Sequence, residues 1–175
     1  MLNLLKWFFI PVLLIASSVS IYNQDNTQTL KDLQEIDIII TTLYDVITGP
    51  PGERDWKKFL SLYHESATMG SVAMKEGEPV FTSFTPSQYI ERNGPYFTQN
   101  GFYEEEIQRK ILIFGNIAQV WTSYQILSEP GGSVRLKGIN AIQLCKQHNQ
   151  WLITNIIWQP ENQSLQLPVD MSVRN

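Results

Sequence analysis

The sequence predicts an α+β fold: a curled antiparallel sheet covered by helices that precede it in the chain. Three observations predict it. Residues 102–158 divide into four strand-like runs separated by short turn signals, residues 29–63 carry two helical periodicities, and Pro/Gly clusters punctuate the blocks. Strands this long must twist, and a twisted sheet with one apolar face requires a cover.

Within residues 1–20, Lys6 is the only charged side chain, residues 7–16 form an apolar run broken by Pro11, and Ser18-Val19-Ser20 offers small residues for cleavage. That is signal-peptide grammar. The run is shorter than the roughly twenty residues a spanning helix needs. The expectation is therefore an exported protein, periplasmic or extracellular, with no membrane association after cleavage; an uncleaved anchor is the alternative. Residues 21–28 read as a polar linker, 29–161 as the domain, and 162–175 as a tail that hugs the surface or frays.

In residues 29–47, Leu33, Ile36, Ile40, Leu43 and Ile47 share one helical face, and Thr29 with Asp32 could cap its start. Thr48-Gly49-Pro50-Pro51-Gly52 ends the helix. Asp55 is placed to cap a shorter brace helix carrying Trp56, Phe59, Leu60 and Tyr63 at i, i+3, i+4 and i+7. A strand is expected over 67–74, then a polar loop over 75–79. Thr85-Pro86-Ser87-Gln88 is a capping box with proline at the first helical position, predicting a helix over 86–91 that Asn93-Gly94-Pro95 interrupts. The four strands follow at 102–114, 117–127, 134–145 and 150–158. Their turns are Gly115-Asn116, Glu129-Pro130-Gly131-Gly132 and Lys146-Gln147-His148-Asn149.

An apolar fraction of 43% over 175 residues is ample for one packed core. Net charge is −4, and no stripe of Lys and Arg marks a nucleic-acid surface. Cys145 is the only cysteine, so no intrachain disulfide can form, and its apolar neighbours read it as a core residue. No His, Asp or Glu pair shows metal-ligand spacing, no nucleophile elbow or phosphate-cradling glycine loop is present, and no cofactor is expected.

The element order, with the segments Leu43-Tyr44-Asp45-Val46-Ile47-Thr48-Gly49-Pro50, Arg54-Asp55-Trp56-Lys57-Lys58-Phe59, Phe114-Gly115-Asn116-Ile117-Ala118-Gln119-Val120 and Gly138-Ile139-Asn140-Ala141-Ile142-Gln143-Leu144, resembles the nuclear-transport-factor-2-like, or SnoaL-like, superfamily. The match covers roughly residues 30–161 and is nearest to a bacterial branch whose members mostly lack an assigned activity. The resemblance implies a cone-shaped α+β protein with a pocket between sheet and helices, often homodimerising through the sheet's outer face. Two catalytic patterns of the superfamily are incomplete here. Tyr44-Asp45 stands where scytalone dehydratase has a Tyr-Asp pair, but His64 and His148 are the only histidines and His148 falls at a hairpin tip. The strand after the brace helix, where ketosteroid isomerase carries its acid, has no carboxylate in Ala67-Thr68-Met69-Gly70-Ser71-Val72.

The candidate catalytic residues are Tyr44, Asp45, His64 and Glu105. Strict alternation puts Glu105 and Arg109 on the more apolar face of their strand, with Ile107, Ile111 and Ile113, where a carboxylate's pKa would be displaced and suited to acid–base work. Four residues apart on one strand, they are too far to pair with each other; the competing reading puts them at a fraying or exposed strand end, or in structural ion pairs with other residues. Tyr44 and Asp45 point about 100° apart on a helix and could share a pocket only at its rim; otherwise Tyr44 is core and Asp45 solvated. His64 is a general base or simply finishes the brace helix. Trp56, Arg109, Trp121, Asn140 and Trp158 are the candidate ligand-binding residues, the tryptophans equally readable as core. Together these predict a small-molecule-binding domain with a small apolar ligand, cofactor-independent lyase or isomerase activity being possible; the alternative is a non-catalytic dimerisation or interaction module of the cell envelope.

Overall fold

A computed structural model describes residues 26–172; the signal-peptide reading and the first part of the expected linker lie outside the described residues. The order is α1 (Asn26–Ile47), α2 (Trp56–Ser61), β1 (Tyr63–Lys75), β2 (Glu78–Phe84), α3 (Pro86–Gln99), β3 (Tyr103–Phe114), β4 (Ile117–Leu127), β5 (Val134–Gln147) and β6 (Gln150–Pro160), ending in a 3-10 turn at Val169–Met171. The strands form one sheet in the order β2-β1-β6-β5-β4-β3. Every neighbouring pair is antiparallel except β1 with β6, which run parallel. The fold is thus the expected α+β cone, with the helices against its inner face.

The four-strand meander and Asp55 as N-cap, accepting from the Lys58 backbone N–H at 2.8 Å, are as expected. Several boundaries differ: β1 starts at Tyr63, before the expected 67, and β5 runs to Gln147, into the expected turn. Helix α1 already begins at Asn26, inside the expected linker, and Asp32 does not cap it but lies buried in its second turn. Strand β2 occupies part of the expected loop: Glu76 and Gly77, both at positive φ, make a tight reversal, and Pro79 is tolerated because β2 is an edge strand. Helix α3 continues through Pro95 to Gln99. The proline removes one backbone hydrogen bond, but Phe97 in the following turn is buried, stacked on Trp56 at 6.0 Å and tilted against Phe102 at 4.9 Å, and that packing outweighs the break.

Apolar packing of Ile36, Ile40, Leu43 and Ile47 holds α1 on the sheet. A buried polar tie fixes where it sits. Asp32 accepts hydrogen bonds from Lys146 Nζ at 2.5 Å, Trp151 Nε1 at 3.0 Å and Gln28 Nε2 at 3.1 Å. Burial alone would raise the Asp32 pKa, yet these donors together hold it below the usual 3.8. Further along, Arg109 donates to Glu106 on its own strand and reaches back to Asp37 Oδ1 at 2.8 Å and Thr41 Oγ1 at 3.2 Å on α1.

The tail hugs the surface as far as Ser172. Glu161 N donates to Lys137 O at 2.8 Å, Asp170 pairs with Lys110 on the outer face of β3, and Met171 is buried. No helix among the described residues is long and apolar enough to cross a membrane.

Removing one member of a buried pair strands the other, so Asp32→Ala is expected to cost about 3–5 kcal/mol of unfolding free energy in urea at pH 7. The folded-state pKa of Asp32 is depressed, so its contribution is complete above pH 3.8 and is lost as pH falls through the lower folded value. The gap between wild type and variant should therefore close in acid.

Candidate functional site

A cavity of about 260 Å³ lies between the inner face of the sheet and all three helices. Leu43, Ile47, Phe59, Phe97, Phe102 and Ile156 contribute much of its apolar wall. Polar groups enter from six elements: Tyr44 from α1, Tyr63 from β1, Tyr89, Asn93 and Tyr96 from α3, Glu104 from β3, and Tyr124 and Asn140 from β4 and β5. No Lys, Arg or His belongs to the lining.

The loop after α1 brings Glu104 and Tyr44 to the same cavity. Gly49 and Phe102 exchange backbone hydrogen bonds at 2.7 and 3.0 Å, and the Thr48 hydroxyl donates to Glu104 O at 2.7 Å. Arg54 holds the loop itself, donating to the carbonyls of Ile47, Gly49, Pro50 and Gly52 at 2.9–3.0 Å. The end of the helix is thereby stitched to the start of β3.

Strict alternation would have turned Glu104 away. The β3–β4 register pairs Glu106 with Tyr124 but Gln108 with Ser123, so Ile107 is an extra, bulged residue. Beyond the bulge Arg109, Ile111 and Ile113 lie opposite the inward Thr122, Val120 and Ala118; before it, Glu104 lies opposite the inward Ile126 and Glu105 opposite Gln125. This corrects the expectation that Glu105 faces inward. Glu105 is on the outer side, where Gln125 Nε2 donates to its Oε2 at 3.3 Å, and Glu104 takes the inner position.

Among the described residues no side chain hydrogen-bonds the Glu104 carboxyl, and burial pushes its pKa up from 4.5 to about 8. Tyr44 is raised well above 10, by burial first and then by the negative charge of Glu104, against hydrogen bonds from Thr122 and Asn140. Tyr89 and Tyr124 are raised for the same two leading reasons, burial and Glu104. These phenols stay protonated donors at neutral pH. Tyr63 is raised by burial, and its hydroxyl is buried with no hydrogen-bond partner among the described residues.

Of the candidates read from sequence, Tyr44, Asn140 and Trp158 line the cavity. Tyr44 shares a hydrogen bond with the Thr122 hydroxyl and accepts one from Asn140 Nδ2 at 2.9 Å. Trp158 meets Phe84 and Tyr89 edge to face at 5.6 and 6.3 Å. The others are elsewhere. Asp45, one helical step from Tyr44, is exposed beside the Gly-Pro loop. His64 opens β1 rather than ending α2, its ring held between Ser66 Oγ at 2.8 Å and Gln147 Oε1 at 2.9 Å. Trp56 stands behind the wall against Phe97 and Phe59. Arg109 is spent on Glu106 and α1, and Trp121 lies on the outer face, 47% exposed.

Glu104, Tyr63, Tyr89 and Tyr124 were not among those candidates. The only trace of the bulge is that β3 has twelve residues and its partner eleven. Tyr63 and Tyr89 sit at core-like helical spacings, and nothing in sequence separates a cavity wall from a filled core. Among the described residues no three His, Cys, Asp or Glu side chains cluster as a metal site would require.

No family model matches the chain and no curated protein is similar to it in sequence. Solved structures are similar in fold. A protein of unknown function from Mycobacterium tuberculosis superposes with TM-score 0.61 at 14% identity, over 86% of this chain and 81% of that one. A nuclear-transport-factor-2-like protein of unknown function from Methylobacillus flagellatus gives 0.54 at 12%, over 76% and 94%. A candidate dehydratase of the same family from Streptomyces avermitilis gives 0.56 at 14%, over 77% and 99%. The fold is thus the one seen in these nuclear-transport-factor-2-like structures.

The buried Glu104 makes a stability prediction with the opposite sign to Asp32. Its folded pKa lies above its unfolded one, so the folded state is favoured most below pH 4.5 and loses that advantage as pH rises toward 8. Glu104→Gln should match wild type in urea at pH 4 and exceed it by about 2–5 kcal/mol at pH 8.5.

Proposed function

We propose that this chain is a small-molecule-binding domain that holds its ligand in the cavity between α1, α3 and the sheet, and that Glu104 exchanges a proton with that ligand in cofactor-independent lyase or isomerase chemistry. One observation carries the reading: a carboxyl with no hydrogen-bond partner among the described residues faces a cavity ringed by phenols. Keeping an ionisable group unpaired in an apolar site is costly, and an unused core position would be more stable with an apolar residue. A pKa near 8 also suits proton exchange, because at pH 7 the group is mostly protonated yet able to release the proton. The phenols of Tyr44, Tyr89 and Tyr124 supply donors to an oxygen that gains charge. Of the residues first singled out from sequence, Tyr44 and Asn140 are retained in this proposal, and Glu104 replaces Glu105.

A second reading is favoured by the sheet's outer face, where Leu112 and Ile117 are 71% and 60% exposed. Adjacent exposed apolar side chains on a sheet favour a second copy of the chain. On that reading the domain is a dimerising or interaction module of the cell envelope. We propose the homodimer with either function, together with export and with no nucleic-acid partner.

Native mass spectrometry of the protein purified gently from its own source tests both. The expected species is a dimer that retains a small molecule; Glu104→Gln should lose it and Glu105→Gln should keep it. A ligand-free wild type held on another protein would support the interaction module. Replacing both Leu112 and Ile117 by Asp is expected to shift the sedimentation profile to monomer, and a dimer that persists would move the interface elsewhere.

A further inference from the structure

The proposed function leaves the chemical class of the ligand open, and the wall of the cavity narrows it. Glu104 is the only carboxylate in the lining and no cation faces it. Around it stand Tyr44 from α1, Tyr89 from α3 and Tyr124 from β4, all three close enough for the carboxylate charge to act on their hydroxyls. Phe59, Phe97, Phe102 and Trp158 extend the aromatic surface. Nearby charges are already committed. Glu106, two residues on along β3, is bonded by Arg109, which also holds Asp37; Arg54 is bound to four carbonyls of the loop and lies over Phe97 at 5.3 Å. The remaining ionisable groups in the lining, Tyr63 and Tyr96, are phenols.

We infer that the ligand is a compact organic cation, an amine whose basic nitrogen seats on Glu104 inside a cage of aromatic rings. The inference rests on the cavity reading above and adds the charge of the occupant. Aromatic faces attract an ammonium through their quadrupole, and more strongly once water is excluded. The carboxylate supplies the opposite charge, and its pairing with an ammonium removes the penalty of burying it alone. An anionic ligand would meet Glu104 with no cation to offset it. The buried Tyr63 hydroxyl, without a partner among the described residues, is left to donate to an acceptor elsewhere on the same molecule. In the empty protein at neutral pH Glu104 holds its proton, so an ammonium ion that binds displaces it and one proton is released.

The test is isothermal titration calorimetry of the full chain with three probes of one shape: benzylamine, benzyl alcohol and benzoate. Benzylamine is expected to bind at least tenfold more tightly than benzyl alcohol, and benzoate not to bind. Benzylamine binding at pH 7 should release close to one proton, read from enthalpies in buffers of different ionisation heat, and its affinity should rise severalfold from pH 6 to pH 7.5. Glu104→Gln should keep benzyl alcohol affinity while losing the preference for the amine; Glu105→Gln should behave as wild type. Equal or tighter binding of benzyl alcohol in the wild type, or an amine preference that survives in Glu104→Gln, would overturn the cation while leaving the cavity as a binding site. Failure of all three probes to bind wild type would overturn the cavity reading and this inference with it.

Discussion

Helix α1 lies along the sheet through an apolar stripe, but apolar contact is non-directional and would tolerate a sliding helix. Its position is set by polar contacts at intervals: Asp32 to Lys146 and Trp151 near one end, Asp37 and Thr41 to Arg109 in the middle, and Tyr44 to Thr122 and Asn140 toward the other end. Each is directional, and those at Asp32 and Tyr44 are buried, where a lost partner is not replaced by water. With α1 held in this register, the last turn delivers Tyr44 beside Glu104, and the cavity exists because the helix is not free to settle into it.

The two inward carboxyls show how neighbours decide whether such a group keeps its charge. Asp32 is surrounded by three donors, one of them charged, and stays ionised. Glu104 has phenols nearby but no donor bonded to it, and its pKa climbs to about 8. The first is an arrangement complete in itself, which is how a structural ion pair behaves. The second is incomplete, and an unpaired polar group facing a cavity, like the Tyr63 hydroxyl on the same wall, is what a ligand would complete.

The two faces of the sheet also divide the labour. The inner face, with the helices, encloses the cavity. The outer face carries the Asp170–Lys110 ion pair and the buried Met171 on one part, and the exposed Leu112 and Ile117 on another. Trp121 belongs to this outer side, which explains why a tryptophan in a long apolar strand is not a wall of the pocket.

Much of the architecture was legible because it rests on local chemistry. Asp55 before Trp56 caps a helix in any context, Thr85-Pro86-Ser87-Gln88 starts one, and glycine-marked turns divide the meander. Even the resemblance to the nuclear-transport-factor-2-like fold follows from that order. The site was legible only where periodicity runs unbroken, as at Tyr44 and Asn140. It was misread at Glu105 because one bulged residue, Ile107, inverts the faces of everything before it, and a bulge is decided by pairing with β4 rather than by the strand's own residues. Likewise the run of α3 through Pro95 was decided by where Phe97 could be buried against Trp56 and Phe102. What the sequence by itself determined were the elements and their order, since helix caps, turns and alternation act over a few residues. Which carboxylate enters the cavity was left to contacts between residues far apart in the chain, and only the folded sheet sets those.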